Sequence, residues 1–237
     1  VEKLCDAIER AATLTLEEEL IGIFATGIAD RNREILLGYY GWIDGKRHTL
    51  SEIGDRFGIT RERTRQICAK LTRRHGDLSA AFAPVMKQAL AFIEDRTPCS
   101  VRQIETDLLE QGFTGIGMEV EGILDSAKLL EREARFALEW VGMARRRRIG
   151  LVVASGDAEL VSMAIEVARR EIYYHGIATL ERVYRQVAER SPGRVKERVV
   201  RRAVEALPGF LWLDEKQGWF RVASISKHGL PKTVEKV

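Results

Sequence analysis

Little in this chain invites a disulfide, a metal or a membrane. Its three cysteines, Cys5, Cys68 and Cys99, lie far apart with no CxxC pair. An odd, scattered set argues against a disulfide framework and against a zinc site. The four histidines, His48, His75, His175 and His228, are equally dispersed. No stretch approaches the roughly 18 uninterrupted apolar residues that a membrane span needs. The opening VEKLCDAIER is charged and amphipathic, unlike a signal peptide. It begins with valine rather than methionine, which points to processing or to a piece of a longer chain. Paired carboxylates in a known motif, a nucleophile beside a base and metal-ligand spacing are all missing, so neither catalysis nor a cofactor or metal is expected. Gly115-x-Gly117 lacks the strand-turn-helix setting of a nucleotide fingerprint and carries no functional weight. A cytoplasmic setting without membrane contact fits these absences.

What the chain does have is unevenly placed charge. The formal net charge of the 237 residues is only +3. Residues 30–77, however, hold 11 Lys/Arg against 7 Asp/Glu, leaving 27 against 28 elsewhere. Between Thr60 and His75 six basic residues face one acidic one. Such a concentrated basic face is the footprint of an element that meets phosphates.

The periodicities predict a mainly α protein. Residues 2–29 read as two helices, the second opened by Thr15-Leu16-Glu17-Glu18, a capping box. A short helix follows over 30–40, then a loop, GWIDGKRH, marked by Gly41 and the Asp44-Gly45 pair. A second capping box, Thr49-Leu50-Ser51-Glu52, opens a helix with Leu50, Ile53 and Phe57 at helical spacing. Gly58 ends that helix and Thr60 caps another, running to about His75. Helix, glycine turn, helix is the helix-turn-helix arrangement.

Beyond it, a helix over about 78–95 leads to a boundary at Thr97-Pro98, because the residue before proline is pushed out of helical geometry. Residues 99–141 read as helix, turn, helix and an extended pair around KLLEREARFALEW, with Arg145 to Arg148 as a linker. The last third repeats this plan: helices over 157–174, 179–190 and 194–207, then a hairpin turning at EKQG within FLWLDEKQGWFRVA. Phe210, Trp212, Trp219 and Phe220 are expected in the hairpin core. Three helices and a terminal hairpin make a winged-helix plan. The expected domains are therefore a helical domain over 1–95 containing the helix-turn-helix (30–75), winged-helix-like units over 96–150 and 151–226, and a tail or further segment over 227–237.

On the helix from Thr60 to Arg74, Thr60, Thr64, Ile67 and Leu71 fall on one face, suited to packing on Ile53 and Phe57. Arg61, Glu62, Arg65, Gln66 and the small Ala69 fall on the other. Arginine offers a donor fork to guanine, glutamine matches adenine and glutamate accepts from the cytosine amine. These four polar residues are the candidate base readers of double-stranded DNA. Thr60, Arg63, Lys70, Arg73 and Arg74 are candidate phosphate contacts. Arg194, Arg198 and Arg201, a basic stripe at helical spacing, form a candidate second surface for DNA or for a partner.

The stretch HTLSEIGDRFGITRERTRQICAKLTRR resembles region 4 of sigma-70-type factors, and RNREILLGYYGWIDGK resembles that region's leading helix and loop. Thr64 and Cys68 depart from the family's usual aliphatic and glutamate. The resemblance covers about residues 30–75 and implies a helix-turn-helix in which Arg61, Glu62, Arg65 and Gln66 read a −35 promoter element. It also implies bacterial transcription at the nucleoid, and the β flap of core RNA polymerase as a partner. Nothing in the chain resembles region 2, so a sigma-like regulator with appended winged helices is the expectation. Two alternatives stay open: an adaptor that grips the polymerase and recruits partners, and the DNA-targeting module of a longer enzyme.

Overall fold

Short-range signals place most of the helices. The computed structural model describes residues 14–74, 81–144, 147–193 and 195–225. Helix α1 (Leu16–Phe24) begins at the Thr15 capping box, in which Thr15 and Glu18 exchange hydrogen bonds; the helix expected before it lies outside the described residues. Helix α2 (Asp30–Tyr40) ends on Gly41 in the left-handed conformation. Helix α3 (Leu50–Phe57) starts at the second capping box, where Glu52 accepts from the Thr49 N–H at 2.7 Å. Helix α4 (Arg61–Arg73) is capped by Thr60.

The remaining elements are α5 (Pro84–Arg96), β1 (Cys99–Ser100), α6 (Val101–Glu110), α7 (Val120–Leu129), β2 (Phe136–Ala144) and β3 (Arg147–Ala154). They are followed by α8 (Ala158–His175), β4 (Ala178–Thr179), α9 (Leu180–Arg190), α10 (Glu197–Glu205), β5 (Phe210–Asp214) and β6 (Trp219–Val222). The order helix, short strand, helix, helix, hairpin thus occurs twice. Each time it closes an antiparallel three-stranded sheet with the same strand order, β1-β3-β2 and β4-β6-β5. This mainly α protein carries a helix-turn-helix followed by two winged-helix-like arrangements. None of its described helices is long and apolar enough to cross a membrane.

Two features of the first arrangement differ from the sequence reading. Its opening helix is α5, so it starts near residue 84 instead of 96. Its hairpin pairs β2 with β3 as far as Ala144 opposite Arg147, so Arg147 and Arg148 belong to a strand and not to a linker, while Arg145 and Arg146 lie outside the described residues. Four consecutive charges interrupt the apolar pattern, and that hid the second strand, IGLVVA. By contact the chain groups into two compact units, residues 1–95 with 103–134 and residues 96–102 with 135–237.

In the first unit the loop GWIDGKRH is a core element. Trp42 is buried, stacks on Tyr40 with ring centroids 5.1 Å apart and lies 5.4 Å from the Phe24 ring. Its indole N–H donates to Ser126 Oγ of α7 at 2.8 Å. Gly45 has a positive φ, and a Cβ there would lie 2.7 Å from the Gly117 carbonyl oxygen, so only glycine fits. The backbone N–H of Glu119 donates to the Gly45 carbonyl and Arg47 pairs with Asp125 at 2.8 Å.

Two buried carboxylates serve backbone groups in the same unit. Glu17 accepts from the N–H groups of Gly115 and Ile116, a structural use for the stretch around Gly115-x-Gly117. Glu19 accepts from Val85 and Met86 at 2.9 and 2.8 Å, satisfying orphan donors in the first turn of α5. Burial pushes the Glu19 carboxyl above its ordinary value, against the pull of those two N–H groups. The core of the second unit gathers Leu151 and Val153 of β3, the inner faces of α8, α9 and α10, and Phe220 and Val222 of β6.

Candidate nucleic-acid interface

The helix-turn-helix is fastened from beneath. Ile35 of α2, Ile53 of α3 and Cys68 of α4 form a buried cluster, with Tyr39, Phe57, Ile59 and Ile67 packed against it. Thr64 is fully buried and its hydroxyl donates to the Thr60 carbonyl at 3.2 Å, so the polar residue at an aliphatic position is satisfied. Cys68 is a core residue as well, and burial raises its thiol to about 11. A wheel drawn from Thr60 through Leu71 missed it, although it sits one turn from Thr64 and Leu71. Arg31 of α2 reaches across to donate to the Phe57 carbonyl at 2.8 Å, where α3 runs out of helical partners.

The turn itself depends on two glycines. Gly58 adopts φ 64°, the left-handed cap anticipated from the sequence. Gly54, inside α3, was not singled out. A Cβ on it would come 2.6 Å from the Ile59 carbonyl oxygen and 3.4 Å from Thr64 Oγ1. The signal available in the sequence was a glycine at mid-helix, where glycine costs about 1 kcal/mol relative to alanine and so asks for a packing reason.

On the outward side of α4 all four candidate base readers, Arg61, Glu62, Arg65 and Gln66, are exposed. Three are joined. Arg65 grips the Glu62 carboxylate with two hydrogen bonds, Nε to Oε2 at 2.8 Å and Nη2 to Oε1 at 2.7 Å. Gln66 Nε2 donates to the same Oε1 at 3.2 Å, while its own oxygen accepts from Arg63 at 3.4 Å. Arg61 stands outside this hydrogen-bonded group. Ala69 is half-buried. The hydrogen bonds from Arg65 and Gln66 hold the Glu62 carboxyl down at about 2. A carboxyl proton titration followed by NMR should therefore find Glu62 near that value in the native chain. In Arg65→Ala it should return toward the ordinary glutamate range; an unmoved titration would mean that the pair does not persist in solution.

Thr60, Arg63, Lys70, Arg73 and Arg74 are exposed around this face, with Arg74 Nη1 donating to the Gly27 carbonyl at 3.2 Å. The second stripe is differently disposed. Arg194 lies outside the described residues, and Arg198 is exposed on α10. Arg201 donates to Glu205 at 2.9 Å and to Glu215 at 2.5 Å, and its guanidinium lies over the Trp212 ring at 5.1 Å.

Residues 27–72, which span α2, α3 and nearly all of α4, match the family model described as Sigma-70, region 4. This part of the chain is a sigma-70 region 4 segment. The RNA polymerase sigma factor SigA1 of Synechococcus elongatus is 44% identical over 66 residues, 28% of this chain and 16% of that protein. The chain thus matches only about a sixth of the length of that relative. No solved structure matches the chain. A region 4 segment supports a DNA-binding, transcription-related role for this part of the protein. Among the described residues no cluster of His, Cys, Asp and Glu has the grouping of a metal site.

Proposed function

We propose that the chain is a sequence-specific DNA-binding protein of bacterial transcription, reading a −35-like promoter element by laying α4 in the major groove. One observation carries this reading: a region 4 segment whose α4 turns Arg61, Glu62, Arg65 and Gln66 to solvent over a packed base. Arg61 and Arg65 supply donor forks, Gln66 a donor and an acceptor, and Glu62 an acceptor, enough to separate guanine, adenine and cytosine edges. Arg63, Lys70, Arg73 and Arg74 neutralise phosphates on either side, Thr60 hydrogen-bonds one, and together they fix the register without reading sequence. The role of this segment is binding rather than catalysis. By likeness to region 4, core RNA polymerase through its β flap is the proposed protein partner, and the nucleoid the proposed place of action.

Selection from a random duplex library tests the reading. The native chain should enrich a site resembling a −35 element. Arg65→Ala and Gln66→Ala should each relax one or two positions of that site, since a well-formed bidentate contact discriminates by about 1–3 kcal/mol. Failure of the native chain to select any motif, or selection of an unchanged motif by both variants, would sink the assignment of the reading face.

A further inference from the structure

The last hairpin does not look like a surface built for DNA. Its inner side chains are core: Phe220 is buried, and Phe210 and Trp212 pack against it, with Phe210 and Trp212 meeting edge to face at 5.0 Å. Trp219, expected in that core, instead points outward. Alternation along the two strands puts Leu211, Leu213, Trp219 and Arg221 on the outer face, with Leu211 directly opposite Arg221. The first three are 59%, 49% and 43% exposed, an unusual amount of apolar side chain to leave in water on one small sheet. Arg221 is exposed and has no carboxylate partner among the described residues.

The rest of the wing turns phosphates away. Its tip, Asp214 to Gly218, carries two carboxylates and one lysine; by contrast the sequence from the end of β2 into β3 carries four consecutive arginines, Arg145 to Arg148. Arg201, at the centre of α10, is already neutralised by Glu205 and by Glu215 of the tip, which ties wing to helix. A groove full of phosphates would have to break that pair and approach an acidic tip.

We propose that the outer face of β5 and β6 is a protein-docking surface, and that its occupant is a partner segment placing apolar side chains over Leu211, Leu213 and Trp219 and a carboxylate against Arg221. The carboxylate follows from charge complementarity: a guanidinium without a carboxylate among the described residues, beside three apolar side chains, is satisfied by an acidic group when water is displaced. Two nearer occupants match less well. Residues 226–237 carry three lysines to one carboxylate, the wrong sign for Arg221. A second copy meeting the same face two-fold would bring a second Arg221 and, from the outer-face residues Leu211, Leu213, Trp219 and Arg221, no carboxylate.

The experiment is a peptide selection on the immobilised full chain with a random phage-displayed library, repeated with Trp219→Ala, Leu213→Ser and Arg221→Glu. Far-ultraviolet circular dichroism and thermal melting confirm that each variant is folded; the outward position of these side chains predicts native melting. The native chain should enrich peptides combining large apolar residues with Asp or Glu. A synthetic peptide of that sequence should lose roughly tenfold or more in affinity for Trp219→Ala, and Arg221→Glu should select basic peptides instead. Absence of an enriched motif, or identical motifs for native and variant chains, overturns the proposal. So does a DNA footprint that shrinks in Trp219→Ala, which would make the face a DNA surface, or a dimer in analytical ultracentrifugation that Trp219→Ala abolishes.

Discussion

Gly54→Val should cost the protein both stability and DNA binding. The new Cβ would stand 2.6 Å from the Ile59 carbonyl oxygen, a backbone atom that cannot swing aside as a side-chain tip would. That carbonyl belongs to the turn, whose Ile59 N–H is itself held by the Gly54 carbonyl at 2.9 Å. Relief therefore requires α3 and the turn to separate, carrying α4 with them. Valine gains back only a few tenths of a kcal/mol of helix propensity, whereas forced overpacking costs about 1–3 kcal/mol and sometimes more. The melting temperature should fall by several degrees, and duplex affinity by about tenfold or more, since a displaced α4 no longer matches the groove. The two readouts are a thermal melt and a labelled-duplex titration at fixed salt. A variant that melts and binds like the native chain would show that the turn has room that this geometry denies.

Trp42→Ala should have the larger effect on stability alone. Truncating a buried tryptophan costs about 3–5 kcal/mol, because both transfer energy and the contacts lining the cavity are lost. Here the lining includes the Tyr40 and Phe24 rings. The lost hydrogen bond adds little, as Ser126 Oγ still donates to the Gly122 carbonyl at 2.7 Å. Trp42→Phe separates the terms: it keeps an aromatic ring and forfeits the N–H, for about 1 kcal/mol from the hydrogen bond. Urea unfolding should rank native, then Phe, then Ala. Equal midpoints for native and Ala would contradict the burial of this side chain.

These two residues also mark where the sequence was readable and where it was not. Capping boxes at Thr15 and Thr49, the glycine cap at Gly58 and the placing of the last hairpin are local signals, decided within four or five residues. Each was legible, and so was the exposed face of α4, because helical spacing alone separates Glu62 and Gln66 from Thr64 and Leu71. Gly54 and Trp42 answer to residues that are distant in the chain or across a turn, and nothing local announces that. Glu17 and Glu19 looked like ordinary acidic residues of a first turn; their partners lie at 115–116 and 85–86. Arg147 and Arg148 misled in the opposite way, since a charged strand end and a linker look alike as a run of charge. At the candidate site, the four exposed residues proposed to read bases could be named from spacing. That Arg65 and Gln66 both hold Glu62 depends on rotamers, which spacing does not fix.

The junction around Gly45 and Trp42 limits how far the region 4 segment can travel. Its loop leans on the Gly117 backbone, its indole is anchored on Ser126 and its Arg47 on Asp125. Residues 27–72 are thus not a portable cassette. Grafted alone into another protein they would present to water the Trp42 indole, now bonded to Ser126, and the Tyr40 carbonyl, now beside Gly122. A chimera meant to carry this reading head to a new target would have to bring residues 103–134 along as its footing.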